Sequence, residues 1–262
     1  MHEVADIACN FTNERFDKDL DEVINRAITN KITKFGLICS RLSDLDRLLE
    51  IYNQYSKDMF FTIGIHPHHA NEINDEYLKN LKEAVINNNP HAIGETGLDF
   101  FRNLSTYDEQ IYAFEEQIKI AIDTNKPLFL HQRDSHDDFI KILREYSSDI
   151  NKAVVHCFTG TQEQLEDYLE LDCYIGVTGW ICDEKRNVEL RKTIKNIPLE
   201  KLMIETDCPY LIPKNLPNKP KNNRNEPINL NHIVNEIAVL MEIDIESLRK
   251  QTFKNTINYF KY

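Results

Sequence analysis

Two imidazoles and two carboxylates stand in or at the ends of four short apolar runs of this chain. Glu95 lies in the run from His91 to Asp99, His131 ends Pro127 to His131, His156 ends Ala153 to His156, and Asp207 ends Lys201 to Asp207. Each run has the continuous apolar character of a strand buried on both faces, and a polar or helical segment follows it. In a parallel barrel, side chains at the carboxyl ends of the strands converge on one mouth. Two imidazoles and two carboxylates there would make a divalent-metal site able to activate water. The four residues therefore predict a metal-dependent hydrolase.

The elements that must position them alternate along the chain. Val4 to Cys9 reads as the first strand, and Asp17 to Asn30 has helical spacing through Leu20, Val23, Ile24, Ala27 and Ile28. A strand from Gly36 to Cys39 leads into a helix whose start resembles a cap at Ser43 with Asp46 three residues on. Phe60 to Ile65 follows, then a helix from Asp75 to Asn88, the Glu95 strand, and a long amphipathic helix from Thr106 to Thr124. The His131 strand, a helix from His136 to Tyr146, the His156 strand, a helix from Gln162 to Leu169 and a strand from Cys173 to Val177 continue the rhythm. Asn187 to Lys195 is helical, the Asp207 strand is the eighth, and helices from Leu230 to Met241 and Ile245 to Tyr259 close the chain. Eight strands with helices between them predict an α/β fold of the (β/α)8 barrel type. At 262 residues, 41% hydrophobic and 28% charged, one such domain over residues 1–262 suffices.

Composition limits partners and compartment. The six cysteines are scattered and never form Cys-x-x-Cys, the pattern of reduced, buried thiols in a cytosolic protein. No basic segment leads into an apolar stretch at the amino terminus and no apolar run is long enough to cross a bilayer, so a cytoplasmic protein is expected, as a monomer. A formal net charge of −12 discourages broad, non-specific binding of polyanions but leaves room for a local basic patch. The loop from Pro213 to Pro227 offers one, with Lys214, Lys219, Lys221 and Arg224 directly after the Asp207 strand. Lys219, Lys221 and Arg224 are candidate phosphate contacts; a solvated loop with incidental charge is the alternative.

Taken together, Asp6-Ile-Ala-Cys-Asn10, Gly64-Ile-His-Pro-His68, Ile93-Gly-Glu-Thr-Gly-Leu-Asp99, Leu130-His-Gln-Arg-Asp134, Val155-His-Cys-Phe-Thr-Gly160, Glu205-Thr-Asp-Cys-Pro-Tyr-Leu211 and Asn225-Glu-Pro227 resemble the TatD-type deoxyribonucleases. The resemblance spans nearly the whole chain. With Thr178-Gly-Trp-Ile-Cys-Asp-Glu184, it runs closer to the type member of the family than to its paralogues. It implies a barrel hydrolase of the amidohydrolase type with magnesium-supported exonuclease activity from the 3′ end of single-stranded DNA and RNA. By position, Glu95, His131 and His156 match the family's metal ligands, and Asp207 matches the acid that binds metal or takes the proton from the attacking water. The ligand mixture alone does not name the metal, since carboxylates suit magnesium or manganese and imidazoles favour manganese or zinc. Many relatives close the first strand with His-x-His and so hold a second metal. Ala8 and Asn10 stand there in this chain, which leaves the metal count open.

The remaining candidates are auxiliary. His66 and His68 follow the third strand and are read as contacts to the scissile phosphate or helpers of the leaving oxygen, against a structural role for either. Arg133 could clamp phosphate in bidentate fashion or pair with Asp99. Glu226 is read as a partner that orients a ligand. Cys157 and Cys208 are expected to point away from the mouth, and Trp180 either stacks a base or packs. Two other classes stay in view: a metal-dependent hydrolase of another ester or amide, such as an aminoacyl ester on RNA, and a non-catalytic partner linked to protein export.

Overall fold

The computed structural model describes residues 1–220 and 222–261. Eight strands run through it: β1 (Val4–Cys9), β2 (Ile32–Leu37), β3 (Met59–Ile63), β4 (Ala92–Asp99), β5 (Leu128–Arg133), β6 (Ala153–Val155), β7 (Tyr174–Val177) and β8 (Leu202–Ile204). They pair in sequence order and all in parallel. The helices are α1 (Leu20–Thr29), α2 (Leu45–Tyr55), α3 (Asp75–Asn88), α4 (Tyr107–Asp123), α5 (His136–Tyr146), α6 (Gln162–Glu170), α7 (Val188–Thr193), α8 (Leu230–Met241) and α9 (Ile245–Phe260). This is the (β/α)8 barrel expected from the alternation.

Local chemistry sets the helix starts. Thr106 and Glu109 form a capping box ahead of α4, Thr161 and Gln164 form another ahead of α6, and the Asn74 side chain accepts from Tyr77 N at the start of α3. The cap expected at Ser43 is absent. A 3-10 turn from Leu42–Asp44 enters α2 instead, and the Ser43 hydroxyl is spent on Asp44. Strand β2 begins at Ile32, earlier than Gly36, because Thr33 and Lys34 are only partly buried and mask the apolar run.

The seam between β8 and β1 is closed mainly by a side chain. Among the described residues they are joined by one isolated bridge, Cys9 with Cys208 past the end of β8, and one backbone hydrogen bond there, from Asn10 N to Cys208 O at 2.8 Å. Below it, the fully buried Asp6 carboxylate accepts from Thr206 N at 2.8 Å and from the Thr206 hydroxyl at 2.6 Å. Asp6 thus supplies the rungs that a backbone ladder would otherwise make.

Inside the barrel, the amino-terminal end is apolar. Phe60, Ala92, Phe129, Val154 and Met203 stand at the first or second position of their strands and pack with Tyr259 and Phe260 from the end of α9. Phe260 stacks on Phe60 with centroids 4.1 Å apart, and the Tyr259 hydroxyl donates to Leu128 O at 2.7 Å. The carboxyl end is left for polar groups. Gly97, with φ of 144°, lets β4 approach β5 there, since a Cβ would lie 1.9 Å from the His131 carbonyl oxygen.

Candidate active site

Glu95 points into the barrel mouth from β4 and is almost fully buried. Its Oε1 atom lies 2.7 Å from His156 Nε2, 2.9 Å from His131 Nδ1 and 3.4 Å from His66 Nε2. One carboxylate oxygen carries two lone pairs, so three ring nitrogens cannot all be satisfied by donating to it. Such crowding of nitrogen and oxygen donors around one point suits a divalent cation. His66, Glu95 and His131 each bring a ring nitrogen or carboxylate oxygen to this point, all within 4.8 Å of one another.

The rings are held from behind. Glu205, fully buried on the segment that continues β8, lies 3.4 Å from His156 Nδ1 and accepts from Cys157 N at 2.5 Å. Asp99, at the end of β4, lies 3.3 Å from His131 Nε2 and 2.7 Å from His68 Nε2. A carboxylate behind each imidazole fixes which nitrogen carries the proton and turns the other toward the centre. His66 differs. Its Nδ1 accepts from His68 N at 3.0 Å, so in the neutral ring the proton sits on Nε2, which faces Glu95 as a donor.

Electrostatics follow from burial and these contacts. Burial pushes the Glu95 carboxyl up, but the imidazoles of His156, His66 and His131 outweigh it and hold it well below the ordinary carboxylate range. Burial opposes charge on His156, yet Glu95 and Glu205 raise it well above the usual imidazole value; His131 is raised likewise by Asp99 and Glu95. His66 is pushed down to about 4 by burial, in keeping with a neutral ring. Asp207 is pushed up to about 7 by burial, with His156 lowering it and Glu95 and Glu205 raising it further.

Asp207 lies three residues past the end of β8 with φ of 54°, a left-handed conformation that aspartate tolerates. Its Oδ1 accepts from Asn10 Nδ2 at 2.9 Å. Asn10, just past the end of β1, therefore positions this acid. Buried Asn225 donates to Thr206 O at 3.0 Å, tying the loop before α8 to the same segment.

Several expectations need correction. Arg224 is buried and makes paired 2.7 Å bonds to the two Asp19 carboxylate oxygens and a third to Glu226, so its guanidinium staples the loop and is not open to phosphate. Glu226 takes Arg224 and Arg26 and touches no candidate ligand, which removes it as an orienting partner. Lys219 is exposed and does not line the mouth; Lys221 lies outside the described residues. The basic groups that do line the mouth are Arg41, Arg102, Arg133 and Arg186. Among the described residues Arg133 has no ion-pair partner: instead of pairing with Asp99, its guanidinium carbon sits 3.9 Å above the Phe101 ring. Cys208 is buried at the seam, but Cys157 lines the mouth, because β6 ends at Val155 and a φ of 50° at Cys157 breaks the strand alternation. Trp180 packs against the core and also lines the mouth.

The mouth opens into a cavity of about 1580 Å³. The family model described as TatD related DNase matches residues 5–261. The chain belongs to the TatD-related DNase family. Within it, the chain is 40% identical over 256 residues to the 3′-5′ ssDNA/RNA exonuclease TatD of Erwinia billingiae, covering 98% of each chain. Among solved structures, the TatD homologue YjjV of Escherichia coli K12 superposes with a TM-score of 0.91 at 25% identity, over 99% of this chain and 98% of that one. A hydrolase TatD family protein from Entamoeba histolytica superposes with a TM-score of 0.88 at 29% identity, over 100% and 99%. Membership in the TatD-related family agrees with the mouth, and among the described residues no helix is long and apolar enough to cross a membrane.

Proposed function

We propose that this chain is a metal-dependent exonuclease that degrades single-stranded DNA and RNA from the 3′ end, with magnesium as its metal, acting as a cytoplasmic monomer. The observation that carries the reading is the convergence of His131 and His156 on one oxygen of Glu95, each ring backed by its own carboxylate, at the floor of an open mouth. The name of the exonuclease relative from Erwinia billingiae supports the substrate.

Glu95, His131 and His156, with Asp207 beside them, would hold the cation. When bound, such an ion lowers the pKa of water and polarises a phosphoryl oxygen. The chain's own residues do the rest. Glu205 and Asp99 keep the two rings aimed and protonated on their outer nitrogens. Asp207 uses one oxygen to hold Asn10 and has the other for a proton from the attacking water. His66, fixed as an Nε2 donor by the His68 amide, donates to a non-bridging phosphate oxygen. His68, on Asp99, stands by the leaving oxygen. Arg133 adds N–H groups for an adjoining phosphate.

Incubating the protein with 5′-labelled and with 3′-labelled single strands under magnesium, manganese or zinc tests activity, polarity and metal together. Nucleotides released from the 3′ end are expected. Release of an acyl group from an aminoacyl ester, with strands left intact, would overturn the reading in favour of the other hydrolase class.

A further inference from the structure

Two adjacent phenylalanines follow β4 and have opposite fates. The turn after Asp99 is stapled: the Asp99 carboxylate accepts from Arg102 N at 2.8 Å, Asn103 N reaches Asp99 O at 3.2 Å, and Phe100 N reaches Arg133 O at 3.0 Å. The Phe100 ring packs against Tyr107, with centroids 5.2 Å apart, and joins the core. Phe101 does not. It is 58% exposed, lines the same mouth as Glu95 and His131, and carries the Arg133 guanidinium over one ring face.

A single exposed apolar side chain is ordinary on a protein surface. Three features set this one apart. It is held in place by the stapled turn, one face is fixed by a cation, and that cation has no carboxylate partner among the described residues. With one face covered, more than half of the residue is still open to whatever enters the mouth. A ring with a free face beside unpaired N–H donors matches one nucleotide unit: a base has a π-face to stack, and the phosphate next to it accepts from a guanidinium.

We infer that Phe101, braced by Arg133, is a stacking platform for a nucleobase of the single strand, with the Arg133 N–H groups on the neighbouring phosphate. This deepens the exonuclease reading and rests on it for the identity of the ligand. Stacking on a flat ring tolerates every base, so the platform gives grip on single strands without sequence preference. A duplex, whose bases are already stacked, cannot use it.

The test compares wild type with Phe101→Leu and Phe101→Trp in the magnesium-loaded enzyme. The leucine variant is expected to raise KM for a single-stranded oligonucleotide by roughly five- to a hundredfold, the range of one lost base–aromatic stack. Phe101→Trp should keep the wild-type KM, and wild-type turnover of bis(p-nitrophenyl) phosphate, a diester with no base, reports the hydrolytic centre without a strand. A strand carrying 2-aminopurine and 3′-terminal phosphorothioate linkages should lose fluorescence on binding to wild type and far less with the leucine variant. Wild-type KM and quenching in Phe101→Leu would overturn the platform while leaving the exonuclease reading untouched. If wild type cleaves neither substrate yet quenches the probe in a Phe101-dependent way, the platform stands and the exonuclease reading falls.

Discussion

At the amino-terminal end of the barrel, Tyr259 and Phe260 fold up from α9 and fill the interior with rings that touch Phe60 and other apolar side chains. At the carboxyl end, a few residues further along the same strands, the interior holds Glu95, His131, His156 and Asp207, with Glu205 and Asp99 behind them. The first end gains from burial of apolar surface and has its polar tip, the Tyr259 hydroxyl, satisfied by Leu128 O. The second end sinks acids and imidazoles into a poorly solvated space, and three rings crowd one oxygen. One end stabilises the fold without regard to ligand. The other gathers donors that a cation would complete, so the two should respond differently to the same kind of truncation.

The largest contrast is expected at Glu95. Glu95→Ala should lower turnover of a labelled single strand by more than about a thousandfold, since it removes the oxygen on which the site converges, while circular dichroism still reports an intact barrel. His131→Ala and His156→Ala should behave alike. Wild-type turnover in any of them would remove that residue from the centre. At the opposite end, Phe260→Ala should lower stability by about 3 kcal/mol in urea unfolding and leave manganese affinity, read by calorimetry, within about twofold. Loss of metal binding in a folded Phe260→Ala protein would show that the two ends are not independent.

Smaller effects sharpen the division within the mouth. Asp207→Asn keeps the shape and one oxygen but not the base, so kcat should fall by roughly a hundredfold with the metal still bound; loss of the metal would make Asp207 chiefly a ligand. Glu205→Gln should weaken metal affinity by roughly tenfold to a hundredfold, as expected for a group that orients a ligand. Unchanged affinity would reduce Glu205 to a fold residue.

How much of this could be read from the chain alone follows from the range of each interaction. The meeting of Glu95, His131, His156 and Asp207 was legible because apolar runs announce buried parallel strands, and a parallel barrel brings their carboxyl halves together whatever the loops do; Glu95, read as closing its strand, lies midway along β4. Arg224 was not: it sits in a run of basic and turn residues that reads as a solvated loop, and its partner Asp19 comes from the far end of the chain. Glu205 stood two residues before Asp207 in an apolar strand, and a buried acid there was a signal that went unused. Pairing with Asp99 stands as one alternative for Arg133, because nothing in the residue order shows that His68 and His131 reach that acid first. Cys157 was misplaced because period-two alternation was carried past the last paired residue of β6. Asp6 carried no role in the first strand, because its partner Thr206 lies 200 residues away, and proves to be the clasp of the seam.

That clasp gives an effect on stability alone. Burial pushes the Asp6 carboxyl up to about 7 from its ordinary 3.8, although hydrogen bonds from Thr206 pull the other way. Folding therefore favours the protonated acid. Its contribution to stability is complete below pH 3.8 and is lost as the pH rises to about 7, with a slope of at most about 1.4 kcal/mol per pH unit. Asp6→Asn should flatten this part of the stability profile between pH 4 and 7 in thermal unfolding. An unchanged profile would assign the slope to other acids.

The most direct measurement of the central claim is a time course with a 5′-labelled single strand and the purified protein, stripped of metal and then supplied with magnesium or manganese. The account predicts a ladder of labelled products that shorten stepwise from the 3′ end, only with the metal present, and no ladder with Glu95→Ala. Equal digestion in the presence of a chelator, or an intact strand under every divalent ion, would contradict it.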